Sequence, residues 1–314
     1  MVTNITPDDA APWRGRFVRE QVDALREEGV EVELFSFRAG TRNYPRAVIA
    51  IRRLLRRERF DLVHAHFGLA GWCASLAGAR PLMVTFHGTD VRHPLTGFLS
   101  RRLVGRLDLI APASRALLSR EGGRPALPRR SGRTAILPTG ANLKRFRPMP
   151  RGEARERIGL EPDGRYLLFP AARSRPVKRY DRALELARRL DAELLSGEGI
   201  DTELMPVWMN AANAVLVTSD NEGFGLAAIE ALACDVPVAS TPVGIAPFLL
   251  AGVGGCHVGE FDPGPWGEAL QPHLDAPDPR VAGRHRAGWF AVEPMARRVL
   301  EAYRELLDRG QDLS

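Results

Sequence analysis

The sequence predicts an α/β protein made of two domains, each built on a parallel β-sheet. The chain has 314 residues, about twice the length of a typical domain. Short β-branched runs alternate with amphipathic stretches of helical length, as is typical of parallel α/β layers. Residues 1–150 hold 26 Lys and Arg against 13 Asp and Glu, whereas residues 151–314 hold 18 against 25. The resulting net charges of +13 and −7 favour two domains with different roles, the first facing an anionic partner.

The pattern of strands and helices starts twice. In the first half, strands are predicted at residues 2–4, 30–37, 62–64, 82–86, 109–111 and 134–137, and helices at 16–28, 46–57, 69–77, 99–105 and 114–119. Segment 145–165 is rich in Pro, Gly and charge, which predicts a linker. In the second half, strands are predicted at 166–172, 192–195, 214–218 and 236–239, and helices at 180–190, 225–233 and 294–307. Ligands are then expected at the carboxyl ends of both sheets.

Composition narrows the class of protein further. The sequence contains no run of about 18 apolar residues, so it predicts no transmembrane helix. Its first residues show neither the basic region nor the apolar region of a signal peptide. Cys73, Cys234 and Cys256 are the only cysteines, which argues against a disulfide framework and fits a reducing compartment. We therefore expect a cytoplasmic enzyme, working at the inner face of the cell membrane if its acceptor is a lipid.

The strongest motif is segment 219–240, SDNEGFGLAAIEALACDVPVAS, which predicts a strand end, a glycine-containing turn, a helix and another strand. Unpaired backbone N–H groups at the start of such a helix form a binding site for phosphate. Glu222 is predicted on the loop at the sheet edge, where its carboxylate can accept hydrogen bonds from sugar hydroxyls. Glu230 follows about two turns into the helix. Two glutamates around a βα turn are usually ordinary surface residues, so a functional interpretation of Glu222 and Glu230 depends on the surrounding motif.

This segment resembles the signature of family 4 of the retaining nucleotide-sugar glycosyltransferases, S-x-x-E-G-F-G-x-x-x-x-E-A-x-A-x-G-x-P-V. The matching residues are Ser219, Glu222, Gly223, Phe224, Gly225, Glu230, Ala231, Ala233, Pro237 and Val238. The chain departs at Asp235, where the family usually has Gly. The resemblance implies the GT-B fold, in which two Rossmann-like domains face each other across a cleft. It further implies an acceptor-side domain at 1–148, a donor domain at 149–292 that is abbreviated around 196–213, and a helix at 293–314 that crosses back to the first domain.

Other blocks extend the resemblance to the donor diphosphate. In the loop ARSRPVK, Arg173 and Lys178 match the two cations of the family's G-R-x-x-x-x-K-G, with Ala172 and Arg179 in place of its glycines. Two cations at a strand end would stabilise a leaving diphosphate, although such a loop can also be simply solvated. Lys178 and Lys144 are the only lysines in an arginine-dominated composition, which modestly favours a specific role for Lys178.

In the first half, the block VTFHGTD matches the family's H-G-x-D and implies that His87 approaches the donor sugar while Asp90 lies on the acceptor side. His64 and His66 match D-x-V-H-x-H. No nearby carboxylate or cysteine completes a metal site with them, so we interpret them as packing or acceptor-side residues. Gly15, in a block that resembles the family's glycine loop and first helix, would allow close approach of sugar or phosphate.

The resemblance implies a metal-independent, retaining hexosyltransferase whose donor is a nucleoside-diphosphate sugar. Glu222 would position donor hydroxyls and Glu230 the ribose, and Phe224, Gly225 and Leu226 would line the diphosphate. The acceptor would be a glycan or lipid-linked hydroxyl, such as one of the cell envelope. No cofactor is implied, and the sequence has no Asp-x-Asp pair to hold a divalent ion.

Three other classes of function compete with this one. A nicotinamide oxidoreductase would need G-x-G-x-x-G after the first strand, where the chain has TPDDAAPW. A nucleotide-sugar epimerase fits the motif context less well. A catalytically silent sugar-nucleotide binding protein remains open, because Asp235 and the shortened 196–213 region could both reflect lost turnover.

The basic first half also predicts a partner. The helix RAVIAIRRLLRR and the cluster Arg101, Arg102 and Arg106 favour peripheral contact with an anionic membrane. The alternative is that the apolar residues of the helix face the sheet and its arginines are solvated. Nucleic acid is not expected, since the basic residues are not interleaved with aromatic ones.

Overall fold

The computed structural model describes residues 1–6, 15–119, 126–130 and 132–311. Contacts divide the chain into two compact units. The first consists of Met1–Gly140 together with Val292–Ser314, and the second of Ala141–Ala291. The first unit is therefore discontinuous, since it is completed by the last helix.

The first unit is a five-stranded parallel sheet, among the described residues, covered by helices on both faces. Its strands are β1 (Val2–Thr3), β2 (Phe35–Ser36), β3 (Val63–His66), β4 (Leu82–Phe86) and β5 (Leu109–Pro112). Its helices are α1 (Arg16–Glu27), α2 (Asn43–Arg57), α3 (Gly68–Ala77), α4 (Thr89–Arg92), α5 (Pro94–Leu103) and α13 (Val292–Gln311).

The second unit repeats this architecture. Its strands are β6 (Tyr166–Phe169), β7 (Glu193–Ser196), β8 (Ala214–Val217), β9 (Val238–Ser240) and β10 (His257–Val258). Its helices are α6 (Arg151–Ile158), α7 (Tyr180–Arg189), α8 (Met205–Ala211), α9 (Leu226–Ala233), α10 (Ala246–Leu249), α11 (Pro263–Asp275) and α12 (Arg284–Gly288).

Both sheets have the same strand order. In the first unit it is β2-β1-β3-β4-β5, and in the second it is β7-β6-β8-β9-β10 when counted from the same edge. All pairings are parallel. In the first sheet, β2 lies on one side of β1 and β3 on the other, so the order in which strands are added changes direction between β1 and β3. In the second sheet it changes direction in the same way between β6 and β8. Ligands of open α/β sheets bind outside the carboxyl ends of the strands at this point.

Successive side chains of a strand point to opposite faces of the sheet and pack into two cores, one on each face, as expected for strands buried on both faces. In β4, Leu82, Val84 and Phe86 pack on the side of α2 and α3, whereas Met83 packs on the side of α1 and α13. The second sheet divides in the same way, with Leu168 on the α9 side and Leu167 on the α7 and α11 side. No helix in the described ranges is long and apolar enough to cross a membrane.

The predicted linker at 145–165 is wrong, because helix α6 forms within it. Arg151 and Arg155 of this helix are 2% exposed, and each donates hydrogen bonds to carbonyl oxygens of neighbouring segments. Arg151 binds the carbonyls of residues 276 and 277, and Arg155 binds Ala211 O at 3.0 Å and Asn213 Oδ1 at 2.9 Å. Burial lowers the pKa of Arg151 to about 9. Residues that suggest a solvated linker thus tie α6 to its neighbours.

Several element boundaries also differ from the sequence prediction. The strand expected at 30–37 is reduced to β2, and 134–137 contributes only a single bridge between Thr134 and Ile110. The helix expected at 114–119 is a short 3-10 turn, Arg115–Leu118. Helices α8 and α11 and strand β10 were not predicted, and residues 197–213 contain α8 between two strands.

Candidate functional site

The loops that follow β6 and β8 meet at the reversal point of the second sheet. The loop after β6 ends in a 3-10 turn, Pro176–Lys178, and leads directly into α7. The loop after β8 carries Glu222 and leads into α9. Because β6 and β8 are paired neighbours in the sheet, their loops leave from the same edge, and this brings Lys178 and Glu222 together.

Lys178 and Glu222 form a close, largely shielded ion pair. Lys178 Nζ donates to both carboxylate oxygens, Oε1 at 2.6 Å and Oε2 at 2.7 Å, and the two side chains are 14% and 12% exposed. Ser219 Oγ donates a further hydrogen bond to Glu222 Oε1 at 2.7 Å. Charge-assisted hydrogen bonds of this kind are stronger than neutral ones, so the pair fixes both side chains at the sheet edge.

The structure does not bring Arg173 to this pair. Its guanidinium is 57% exposed and donates from Nε to Glu198 Oε2 at 2.8 Å. It also lies 6.0 Å from the centre of the Tyr180 ring. Arg173 is thus on the predicted loop, but its side chain pairs with Glu198, whereas Lys178 pairs with Glu222.

The start of α9 presents backbone rather than side chains. Gly225, its N-cap residue, has φ of +106°, a left-handed conformation that favours glycine. Phe224 is buried, and its carbonyl accepts a hydrogen bond from Ile245 N at 2.8 Å. Leu226 is the first residue of α9, and the half-buried Glu230 follows one turn later. The predicted donor-binding residues of the second unit therefore cluster around one helix start, whereas Gly15 lies at the start of α1 in the first unit.

Two of the three departures from the family's motifs, Asp235 and Arg179, have a left-handed backbone. Asp235 has φ of +53°, and its Oδ1 accepts hydrogen bonds from Gly283 N at 3.1 Å and Arg284 N at 2.8 Å, at the start of α12. Arg179 has φ of +56°, and its side chain pairs with Asp181 and Asp220. Asp235 replaces glycine with a residue that tolerates this conformation and caps a helix. Asp235 therefore has a structural role at this position.

In the first unit, His66 and His87 lie at the carboxyl ends of adjacent strands. His66 Nδ1 is 3.0 Å from His87 Nε2, and the two rings are stacked. Phe17 and Phe67 contact the His87 ring, with centroids 4.9 and 4.4 Å away. Burial lowers the pKa of the half-buried His87 to about 3, so its imidazole is neutral near pH 7. The second ring nitrogen of His66 is buried without a hydrogen-bond partner.

His64 is a packing residue in this unit. Its Nδ1 is 2.6 Å from Tyr303 Oη of α13, and its Nε2 is 2.7 Å from Thr85 Oγ1. Burial lowers the pKa values of His64 and His66 well below the ordinary value. Each His64 nitrogen already has a polar partner within the unit, so the side chain ties α13 to the sheet.

Asp90 lies behind the His87 loop. Its buried carboxylate accepts hydrogen bonds from His87 N at 3.0 Å, Gly88 N at 2.9 Å and Gly68 N at 3.1 Å. Burial outweighs these bonds and raises the pKa of Asp90 to about 6. The side chain joins the loops after β3 and β4, so any acceptor-side role of Asp90 acts through the backbone it holds.

Gly15 is the N-cap residue of α1, with φ of +71°. A Cβ atom at this position would lie 2.6 Å from Ile5 O, so only glycine permits this approach of α1 to the end of β1. A cavity of about 140 Å³ lies beside it, with Thr3 and Arg19 in its lining. Residues 7–14, including Trp13 of the glycine-loop motif, lie outside the described residues.

Sequence reasoning missed the threonines that support these loops. Thr218 Oγ1 binds the carbonyls of Lys178 and Arg179, and Thr241 Oγ1 binds Ser219 O at 2.6 Å. Hydroxyl residues directly after two buried strands were the available signal. Within the described ranges, no group of three or more His, Cys, Asp or Glu side chains is placed to hold a metal ion.

Comparison with known proteins decides the family. The family model described as Glycosyltransferase Family 4 matches residues 34–145, and that described as Glycosyl transferases group 1 matches residues 175–275. A D-inositol 3-phosphate glycosyltransferase of Thermobispora bispora is 31% identical, over 83% of this chain and 74% of the relative. The chain belongs to the family 4 glycosyltransferases. Another family 4 relative, the D-inositol 3-phosphate glycosyltransferase of Frankia alni, is 32% identical over 79% of this chain and 75% of its own.

Solved structures support the same fold for this family 4 glycosyltransferase. Sucrose-phosphate synthase from Thermosynechococcus elongatus superposes with a TM-score of 0.72 at 22% identity, covering 94% of this chain and 93% of that one. Anabaena Alr3699/HepE, solved in complex with UDP and glucose, gives 0.68 at 15% identity, with 96% and 98% covered. The GT-B fold class predicted from the sequence is confirmed.

Proposed function

We propose that this glycosyltransferase moves a hexosyl group from a nucleoside-diphosphate sugar to an acceptor hydroxyl with retention of anomeric configuration. The observation that carries the proposal is the shielded Lys178–Glu222 pair at the reversal point of the second sheet, beside the start of α9. The fold is shared with HepE, which has been solved with UDP-glucose. A nucleotide-sugar donor is therefore the ligand this edge fits best.

The bond between the sugar's anomeric carbon and the diphosphate oxygen breaks, and the acceptor oxygen bonds to the same carbon on the same face. The acceptor proton passes to an oxygen of the leaving diphosphate. Lys178 has three N–H donors, and two of them point at Glu222. The third is available to the diphosphate, whose developing charge Arg173 and the first amides of α9 also stabilise. Glu222 then accepts hydrogen bonds from donor hydroxyls, and Glu230 from the ribose.

In this proposal, His87 of the first unit contacts the donor sugar. A neutral imidazole at His87 can exchange hydrogen bonds with a sugar hydroxyl without repelling a cation. The phenylalanine rings against His87 restrict its orientation. The cations of the second unit supply the charge compensation that a divalent ion would otherwise give, so we expect transfer to persist after treatment with a chelator.

A thermal-shift panel of UDP, GDP, ADP and TDP with their sugars identifies the donor, because a ligand that binds only the folded state raises its stability. Transfer from the selected donor is then measured in Glu222→Gln and Arg173→Ala. Each variant should lose about 10²–10³ in rate while remaining folded. Glu268→Gln, an exposed glutamate of the same unit, is the matched control and should transfer normally.

The outcomes separate the competing functions. Near-normal turnover in Glu222→Gln would refute the assignment of this site. A selective thermal shift without transfer to any acceptor, D-inositol 3-phosphate included, would favour a silent sugar-nucleotide binding protein. Conversion of the donor to its epimer would favour an epimerase.

We further propose that the first unit contacts an anionic membrane carrying the acceptor. Of the apolar residues of α2, the buried Ala47 and Ile51 face the core and Ile49 is exposed. Helix α5 presents Leu95 and Phe98 at 64% and 48% exposure, with Arg102 over the Phe98 ring. Exposed apolar side chains beside basic ones suit insertion at an anionic lipid surface, where each basic residue contributes about 1 kcal/mol.

Co-sedimentation with vesicles containing anionic lipid tests this contact. Binding should be present at low salt, decrease at high salt and weaken in Phe98→Ser. Leu204→Ser removes a comparably exposed apolar side chain from the second unit and should leave binding unchanged. Absence of binding at low salt would favour a small acceptor in solution.

A further inference from the structure

The loop that carries Lys178 is held by hydrogen bonds from the segment that follows β8, chiefly from Thr218. Thr218 follows directly after β8 and is completely buried. Its Oγ1 lies 3.0 Å from Lys178 O and 2.9 Å from Arg179 O. A hydroxyl has a single hydrogen, so its proton is shared between the two carbonyls. Asp220 N adds a third bond, to Val177 O at 2.9 Å.

This support matters because the loop turns sharply where it is bound. Arg179 adopts a left-handed backbone with φ of +56°, which costs a residue other than glycine about 1–2 kcal/mol. The turn points two consecutive carbonyls towards Thr218 and starts α7 at the next residue. A donor beneath the turn therefore stabilises the conformation from which the Lys178 side chain extends.

The neighbouring residue holds the other half of the ion pair. Ser219 is 2% exposed and donates to Glu222 Oε1 at 2.7 Å. Its own carbonyl accepts from Thr241 Oγ1 at 2.6 Å. Consecutive hydroxyl residues thus fix the two partners separately, Thr218 through the backbone of Lys178 and Ser219 through the carboxylate of Glu222.

We infer that Thr218 is a positioning residue that sets the Lys178 ammonium against Glu222 before the donor binds. This inference rests on the proposed function, in which that ammonium stabilises the leaving diphosphate. Without the hydroxyl, the left-handed turn loses its shared donor, and Lys178 moves away from the carboxylate. The transition state then loses a fixed cation.

The two lysines of the chain allow a test that does not depend on turnover. Protein labelled with ¹³C at lysine Cε gives one signal from Lys178 and one from the exposed Lys144. In Thr218→Val, which keeps the shape and removes the hydroxyl, the Lys178 signal should shift and broaden while that of Lys144 stays in place. Thr218→Ser should restore the signal. Thr139→Val, at a buried threonine of the first unit, controls for the chemistry of the substitution.

Kinetics give the second measurement. The kcat of Thr218→Val, corrected for the fraction that binds nucleotide, should fall tenfold or more, with less than a threefold change in donor KM. Thr218→Ser should recover to within threefold. If Thr218→Val does not fold, Thr218→Cys provides a weaker donor of similar size and should give an intermediate shift and rate.

Two results would overturn the inference. One is an unchanged Lys178 signal in a folded Thr218→Val protein, whatever its activity. The other is a shifted signal with unchanged kcat, because Lys178 would then be displaced without consequence. If the unaltered protein transfers no sugar at all, the proposed function fails, while the signals still report whether Thr218 positions Lys178.

Discussion

Acidification should destabilise the first unit more strongly than the second. His64 and His66 are 2% and 0% exposed, and burial lowers their pKa values well below 6.5. Because the unfolded chain binds protons at about pH 6.5 and the folded unit does not, the stability these residues provide is complete above pH 6.5. It is lost as the pH falls below that value.

Two groups of the first unit give a magnitude. The pKa of His87 is lowered to about 3, so at pH 5 this residue reduces the stability of the unit by about 2 kcal/mol relative to pH 7, since each pH unit below the unfolded pKa costs about 1.4 kcal/mol. Asp90 acts in the opposite sense: its folded pKa is raised to about 6, so its protonation increases the stability by about 1 kcal/mol by pH 5. These two groups together give a loss of about 1 kcal/mol, and the lowered pKa values of His64 and His66 add to it in the same direction, out of the 5–15 kcal/mol typical of a domain.

Urea titrations at pH 7 and pH 5, followed by hydrogen exchange of peptides from β3–β4 and from β8–β9, measure each unit separately. His66→Gln removes one titrating group, so its loss of stability between the two pH values should be smaller than that of the unaltered protein. His285→Gln, at an exposed histidine of the second unit, should leave the pH dependence unchanged. An equal loss in the unaltered protein and His66→Gln would refute the reasoning.

Two further predictions concern Lys178 and Asp235. Lys178→Arg should lower kcat/KM at least tenfold, because a planar guanidinium cannot place one nitrogen 2.6 and 2.7 Å from the two oxygens of Glu222. Steady-state kinetics measure this change, and unchanged constants would show that the reaction does not require a lysine at this position. Asp235→Ala should reduce the free energy of unfolding of the second unit by about 1–3 kcal/mol, since two N–H groups at the start of α12 lose their acceptor. Urea titration measures this free energy, and Asp235→Asn, which keeps one acceptor oxygen, is the conservative comparison. If the Asp235→Ala protein is as stable as the Asp235→Asn protein, Asp235 does not cap α12.

The sequence predicted the buried strands well and the charged segments poorly. Strand β4 has its predicted bounds because five consecutive apolar or β-branched residues are buried on both faces. Helix α6 was missed because its composition resembles a solvated linker. The hydrogen bonds that bury Arg151 and Arg155 go to residues about 50 to 130 positions away in the chain, and a local pattern carries no trace of them.

The candidate site, too, could be predicted from the sequence only in part. The motif spacing located Lys178 and Glu222 correctly on neighbouring loops, since paired parallel strands end at one edge. It could not show that Arg173 pairs with Glu198, or that Asp90 faces backbone N–H groups. Side-chain direction on a loop depends on partners distant in sequence. The catalytic roles of these residues stay predictions until the variants are measured.

The discontinuity of the first unit has a consequence during synthesis. All residues of the second unit leave the ribosome before α13, which supplies Tyr303 to His64 and packs against α1. Domains generally fold as units in the order in which they are made, yet here the unit that is begun first is completed last. The nascent first sheet therefore waits with the face that α13 will cover still exposed, while the second unit is already able to fold.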